Sequence, residues 1–149
     1  MTALALRPAL VTDLPSIYRG ELGYIQQWEP AHLVAWRRQM ERHLTRWVDN
    51  FERMTVAMWD GQFAGYSLWT AEDGFAELST INVSLAYRRR GVGRVLLEAY
   101  LRASAQAGFA QWRLSVHPDN PARQLYEGAG FVYVDVGANG YLRYERVVG

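Results

Sequence analysis

Apolar residues recur along this chain with two periods. Leu33, Trp36, Met40, Leu44, Trp47 and Phe51 follow three-and-four spacing, which puts them on one face of a helix predicted from Pro30 to about Asp49. Thr12-Asp13-Leu14-Pro15 offers a polar capping residue and an early proline, so a shorter helix is predicted from there to about Gly20. Before it, Leu4 to Arg7 reads as an edge strand ending at Pro8. From Met54 the pattern turns β-rich. Met54 to Trp59 and Gln62 to Thr70 flank Asp60-Gly61, a pair suited to a two-residue hairpin turn. Glu72-Asp73-Gly74 leads into a third run, Phe75 to Ser84.

A helical stretch follows Arg88-Arg89-Arg90-Gly91-Val92-Gly93 and runs to about Ala107. Next come a strand at Gln111 to Val116, a short helix from Asn120-Pro121 to about Ala129, and strands at Phe131 to Val136 and Tyr141 to Val148 around Asn139-Gly140. The order β-α-α-β-β-β-α-β-α-β-β predicts an α/β fold, a mixed sheet with helices on both faces.

The chain has 149 residues, half of them apolar, with a net charge of +1. That length and composition predict one domain over residues 1–149, without repeats or linkers. No apolar run approaches the roughly 18 residues of a membrane span. The N-terminus lacks a basic region and meets Arg7 and Asp13 early, so no signal peptide is expected and the reading is cytoplasmic.

Two absences narrow the chemistry. With no cysteine, disulfides, thiolate catalysis and cysteine-ligated zinc are excluded. All 16 lysine-or-arginine positions are arginine, which excludes a Walker phosphate loop and a Schiff base, and arginine does not give up its proton to act as a base. The 15 acidic residues balance the arginines, against a nucleic-acid partner. His32 and His43 lie about 16 Å apart on a helix, and His117 stands alone, so no metal is expected.

Arg88, Arg89, Arg90 and Arg94 surround Gly91 and Gly93 where a β-run meets a helix. The first turn of a helix leaves N–H groups unpaired and carries partial positive charge. Glycine lets an anion approach those donors, and guanidinium groups add charge and paired donors. The segment Arg88 to Arg94, including Val92, therefore describes a pyrophosphate cradle. A dinucleotide-binding glycine pattern fails at Leu96.

Arg88-x-x-Gly91-x-Gly93 after an apolar strand resembles the acyl-CoA signature of the GCN5-related N-acetyltransferase superfamily. Leu114-Ser115-Val116, Asn120, Ala122 and Leu125-Tyr126-Glu127-x-x-Gly130-Phe131 resemble its second motif, and Leu6-Arg7-Pro8-Ala9 with Asp13-Leu14 resembles its opening. The resemblance implies a mostly antiparallel central sheet of about seven strands with about four helices. It also implies an acetyl-CoA-dependent N-acetyltransferase acting by direct attack in a ternary complex, with a small amine or a peptide as acceptor. A non-catalytic acyl-CoA sensor is the alternative.

Carried over, main chain at Ile81 and Val83 meets the pantetheine arm, and an amide near Asn82-Val83 faces the thioester oxygen. Glu77 matches the catalytic glutamate of the family's histone-acetylating branch, six residues before Val83 and assigned to the same strand face; an ordinary strand-end glutamate is the other reading, and Glu29 and His117 are alternative bases. Tyr126 matches the general acid to the CoA sulfur, or else packs on the sheet. Asn120 contacts pantetheine or caps its helix. It stands six residues before Tyr126, where the family has seven. Ser115 occupies the place of a glutamate in the N-terminal alanine acetylases, which counts against that acceptor. The family's variable acceptor wall falls on Tyr24, Trp28, Glu29 and His32. The closing strands are a candidate homodimer surface.

Overall fold

In the computed structural model, which describes residues 3–147, the strands are β1 (Leu4–Pro8), β2 (Met54–Trp59), β3 (Gln62–Glu72), β4 (Phe75–Val83), β5 (Gln111–Val116), β6 (Val132–Val136) and β7 (Leu142–Val147). The helices are α1 (Leu14–Trp28), α2 (Leu33–Arg38), α3 (Met40–Asp49), α4 (Val92–Gln106) and α5 (Ala122–Gly128). Val148, assigned to the last strand by its pattern, lies outside the described residues. The sheet order is β1-β2-β3-β4-β5-β7-β6. Only β4 and β5, joined through α4, pair in parallel. Asp60 and Gly61 both take positive φ, 49° and 79°, the combination that lets a two-residue turn follow the twist of its strands.

α1 does not stop at Gly20 but continues to Trp28. Gly20 is there for packing: a Cβ at that position would lie 2.8 Å from Tyr66 Cε1, so only glycine lets α1 cross β3 this closely. Asn82 of β4 fastens the crossing by donating to the Gly20 carbonyl at 3.0 Å. Asp13 also departs from expectation. Its carboxylate makes no capping bond to α1 but takes the Leu10 N–H at 2.8 Å and both Arg7 guanidinium nitrogens at 2.7 and 2.8 Å. The predicted second helix is two helices. The Trp36 carbonyl is taken by the Gln39 N–H and the His43 ring, which diverts it from the regular ladder and breaks the helix at Gln39. His43 stacks between Trp36 and Trp47 on the inner face, and Leu44, expected there, is 38% exposed.

Helices α1 to α3 cover one face of the sheet, around Ile17, Trp36, Trp47, Val56 and Tyr66. Helices α4 and α5 cover the other, around Leu97, Tyr100, Trp112 and Tyr126. Two irregularities decide which side chain faces which layer. In β3 the register with β2 skips Ala64. In β4 the register with β3 skips Ser79, and one extra residue reverses the alternation. Ala76 and Leu78 before the bulge, and Ile81 and Val83 after it, all pack on the α4–α5 side. Glu77 therefore shares the α1–α3 face with Thr80 and Asn82, not the face of Val83.

β4 meets β5 over only three pairs, Ala76–Trp112, Glu77–Arg113 and Leu78–Leu114. α4 locks this end. Tyr100 donates to the Ala76 carbonyl at 2.8 Å, and Trp112 donates to Ser104 Oγ at 2.8 Å. Gly65 lets β3 approach β4 closely: a Cβ there would sit 2.6 Å from the Asn82 carbonyl oxygen. Gly65→Ala is expected to cost about 1–3 kcal/mol through this overlap, read as a lowered urea midpoint with an unchanged slope.

Candidate active site

Past Leu78, β4 stays with β3 and β5 stays with β7, so the two central strands part. The backbone groups of a strand alternate between its edges. The Ser84 N–H donates to the Ala64 carbonyl in β3 at 2.8 Å, which turns the odd-numbered groups, those of Ile81 and Val83, toward the opening. Arg88 Nε occupies the Val83 carbonyl at 3.0 Å. A groove of about 1080 Å³ runs along this edge, between Ile81, Asn82 and Val83 on one side and Asn120 and Ala122 on the other. Arg19 and Arg88 line it, and no carboxylate does.

Past Val83 the chain makes a short turn, Leu85–Tyr87, and reaches the start of α4. Arg89 and Gly91 take positive φ, 64° and 81°, bending the arginine run sharply. Gly91 precedes α4 with no side-chain cap, and the first helical bond is Val95 N–H to the Gly91 carbonyl at 3.1 Å. The N–H groups of Val92, Gly93 and Arg94 are left without a protein acceptor among the described residues. Nothing stands within 4 Å of where a Gly91 Cβ would be. Gly93 nestles beside Val83 and Leu125, tying this turn to the groove. Arg90 lies over the Trp59 and Tyr87 rings, 5.3 and 5.9 Å from their centroids. The Val92 side chain is buried, so its contribution to the turn is main chain.

A smaller cavity of about 280 Å³ lies deeper and shares Tyr24, Ile81 and Asn120 with the groove. Glu21, Glu29 and Glu77 line it together with Arg46, Tyr126 and Tyr141. Burial, with Glu72 adding to it, raises the pKa of Glu77, while Arg46 and Arg113 pull it down. Burial likewise raises Glu21, whose carboxylate accepts the Tyr66 hydroxyl at 2.9 Å. Burial and then Tyr24 push Tyr126 up as well; its hydroxyl has no hydrogen-bond partner among the described residues. Asn120 Oδ1 accepts the Ala122 N–H at 2.9 Å. It thus caps α5 and lines both cavities.

The model of the acetyltransferase (GNAT) family matches residues 20–131, a span that takes in β2 to β5, α4 and α5. The chain belongs to this family. It is 31% identical over 137 residues to the [ribosomal protein bS18]-alanine N-acetyltransferase of Escherichia coli K12, covering 87% of this chain and 82% of that protein. It is 32% identical over 126 residues to the mycothiol acetyltransferase of Clavibacter michiganensis, covering 85% of this chain but only 40% of that relative's length. The fold is that of the PaiA N-acetyltransferase of Thermoplasma acidophilum, solved in complex with coenzyme A, with a TM-score of 0.83 at 17% identity over 99% of this chain and 100% of that one. YncA of Salmonella typhimurium, solved with its cofactor acetyl-CoA, aligns with a TM-score of 0.75 at 16% identity over 99% of this chain and 95% of that one.

Within this GNAT frame, Ile81, Asn82, Val83, Arg88 and Asn120 meet along the groove, and Glu77, Tyr126, Tyr24 and Glu29 meet at the smaller cavity. Trp28 lines the groove and stacks on His117, which is also packed edge-on against Tyr141. His117 and His32 line neither cavity; His32 is exposed and touches Glu29 at 3.3 Å. Among the described residues, no group of three or more potential metal ligands gathers, and no helix is long and apolar enough to cross a membrane. Glu21 was missed. Its signal was the three-and-four spacing of Glu21, Tyr24 and Trp28, hidden by ending the helix at Gly20.

Two of the buried tyrosines on this side of the sheet, Tyr126 and Tyr100, differ in a testable way. Tyr126→Phe removes a hydroxyl without a protein partner and should change stability by less than about 0.5 kcal/mol. Tyr100→Phe strands the Ala76 carbonyl and should cost about 1–3 kcal/mol. Chemical unfolding of both variants checks the contrast.

Proposed function

We propose that this GNAT protein transfers the acetyl group of acetyl-CoA to a primary amine by direct attack within a ternary complex, the acceptor being a small amine. The observation that carries this reading is the parting of β4 and β5, which connects a groove free of carboxylates to a cavity lined by three. The residues fit the cofactor. Uncapped N–H groups at Val92, Gly93 and Arg94, open space at Gly91 and the surrounding guanidinium groups suit a diphosphate, and the outward main chain of Ile81 and Val83 suits the amides of a pantetheine arm. PaiA and YncA, solved with coenzyme A and acetyl-CoA, support the same donor.

Acetyl-CoA, when bound, supplies an activated thioester carbonyl. The chain's own groups do the rest. An amine with an ordinary pKa near 10.4 arrives protonated, so a base must take a proton, directly or through water. Glu77 is suited to that because burial has raised its pKa toward the working range. The main-chain N–H near Val83 faces the position where negative charge gathers on the carbonyl oxygen. Tyr126 keeps its proton at neutral pH, since burial holds its pKa above the ordinary value, and can give it to the departing sulfur. With no cysteine in the chain, no acetyl-thiol enzyme forms. One relative is named for a ribosomal-protein alanine and another for mycothiol; the size and charge of the inner cavity support a small cationic amine.

Thiol release from acetyl-CoA, measured across an amine panel, tests the reaction on a background free of protein thiols. Coenzyme A that binds but is never released with any amine would leave only a binding protein. A protonated Glu77 cannot accept a proton, so turnover should climb as pH rises through its pKa. Glu77→Gln should lower kcat on the order of 10²–10⁴-fold and flatten that rise while calorimetry shows coenzyme A affinity nearly intact. Gly91→Glu places a side chain at positive φ and a negative charge beside the uncapped amides; it should abolish the calorimetric signal for coenzyme A.

A further inference from the structure

One side chain of the inner cavity has the wrong sign for an ammonium acceptor. Arg46 lines it beside Glu77, and a guanidinium group keeps its charge at every working pH. It would repel an ammonium group brought there, so its charge serves the cavity's own side chains. Arg46 lies in the last turn of α3, next to the buried Trp47, and its carbonyl accepts the Asn50 side-chain amide at 2.8 Å. Its guanidinium donates to Ser79 Oγ.

That anchor is the residue left unpaired in β4. Alternation puts Glu77 and Ser79 on the α1–α3 side of the strand, opposite Ala76 and Leu78, and the skip at Ser79 brings Thr80 onto that side as well. Ser79 takes Arg46 from α3, while Thr80 meets Glu21 from α1. The guanidinium is thereby held two residues along β4 from Glu77, on the same face and in the same cavity.

The other groups around Glu77 do not replace this charge. Arg113 pairs with Glu77 across β4 and β5 but does not line the cavity. Its guanidinium lies 4.1 Å from the centre of the Phe75 ring, and its Nε lies 3.1 Å from Glu145 Oε1 on β7. α1 supplies Glu21 and Tyr24, the residue after it is Glu29, α5 supplies Tyr126, and Tyr141 precedes β7; none of these is cationic. Tyr100 of α4 donates to the Ala76 carbonyl and keeps its proton. Burial and Glu72 of β3 push the pKa of Glu77 up, and Arg46 opposes them more than Arg113 does.

We propose, on the basis of the acetyl-transfer reading above, that Arg46 is a positioning residue acting through Glu77: anchored on the bulge at Ser79, its fixed charge keeps the Glu77 carboxylate in the form that accepts a proton. Without Arg46 the Glu77 pKa rises, and the climb of turnover with pH moves to higher pH.

The pH profile of kcat for coenzyme A release, measured on the full chain with saturating amine, tests the proposal. In Arg46→Gln the climb should move upward by on the order of one pH unit, so that kcat on the rising limb falls as much as about tenfold and converges on wild type above it. Arg46→Lys, which keeps the charge, should restore most of the wild-type position, and Ser79→Ala, which frees the guanidinium, should move the climb part of the way. A wild-type limb in Arg46→Gln, or a loss by one factor at every pH, overturns the proposal and leaves acetyl transfer standing. Carbon-13 NMR of the Glu77 carboxyl, assigned with Glu77→Gln, reads the same midpoint without turnover. A midpoint that rises in Arg46→Gln supports the role of Arg46 even where no amine releases coenzyme A, a result that overturns acetyl transfer alone; a midpoint that stays overturns the role of Arg46 even in an active enzyme.

Discussion

Strand β4 has two edges, and hydrogen bonds fill only one along its whole length. On the β3 side the pairing runs from Phe75 to Val83; on the β5 side it ends at Leu78. Exposed main-chain groups inside a sheet are costly unless something satisfies them, and here the unpaired stretch is kept open by construction. The Tyr100 bond to Ala76 and the Trp112 bond to Ser104 clamp the closed end against α4. Beyond that clamp β5 follows β7, and the chain after it turns at Asn120 into α5. The opening therefore leaves the main chain of Ile81 and Val83 without a strand partner on the β5 side.

The same parting separates two electrostatic environments. The outer groove is lined by arginine without carboxylates, and the inner cavity by three carboxylates with one arginine. Because all 16 lysine-or-arginine positions are arginine, the positive side keeps its charge at any working pH. The negative side does not, since burial raises Glu21 and Glu77. The two environments thus differ in charge and share Tyr24, Ile81 and Asn120 along their walls.

Much of this was legible along the chain. The Asp60-Gly61 hairpin and the glycine start of α4 depend on interactions spanning a few residues, so their residue types announce them, and Asp60, Gly61 and Gly91 take the positive φ those turns demand. The turn from Arg88 to the start of α4 and the Asn120 cap of α5 are legible for the same reason: each is one local motif. Other features were not legible. The continuation of α1 past Gly20, the break at Gln39 and the cluster of Glu21 with Glu77 each have causes far away in sequence, in Tyr66, in the Trp36–His43–Trp47 stack and in the crossing of α1 over β4.

The sequence by itself determined the seven strands and their order along the chain, the glycine start of α4 and the absence of thiol and lysine chemistry, because composition, periodicity and turn residues act locally. Tertiary structure alone decided which face Glu77 presents. A single unpaired residue, Ser79, shifts the strand by half a pleat and carries the carboxylate from the α4 side to the α1 side. The apolar alternation of β4 breaks step between Leu78 and Ile81, but which residue is left unpaired is set by the register against β3, and register is a property of two strands together.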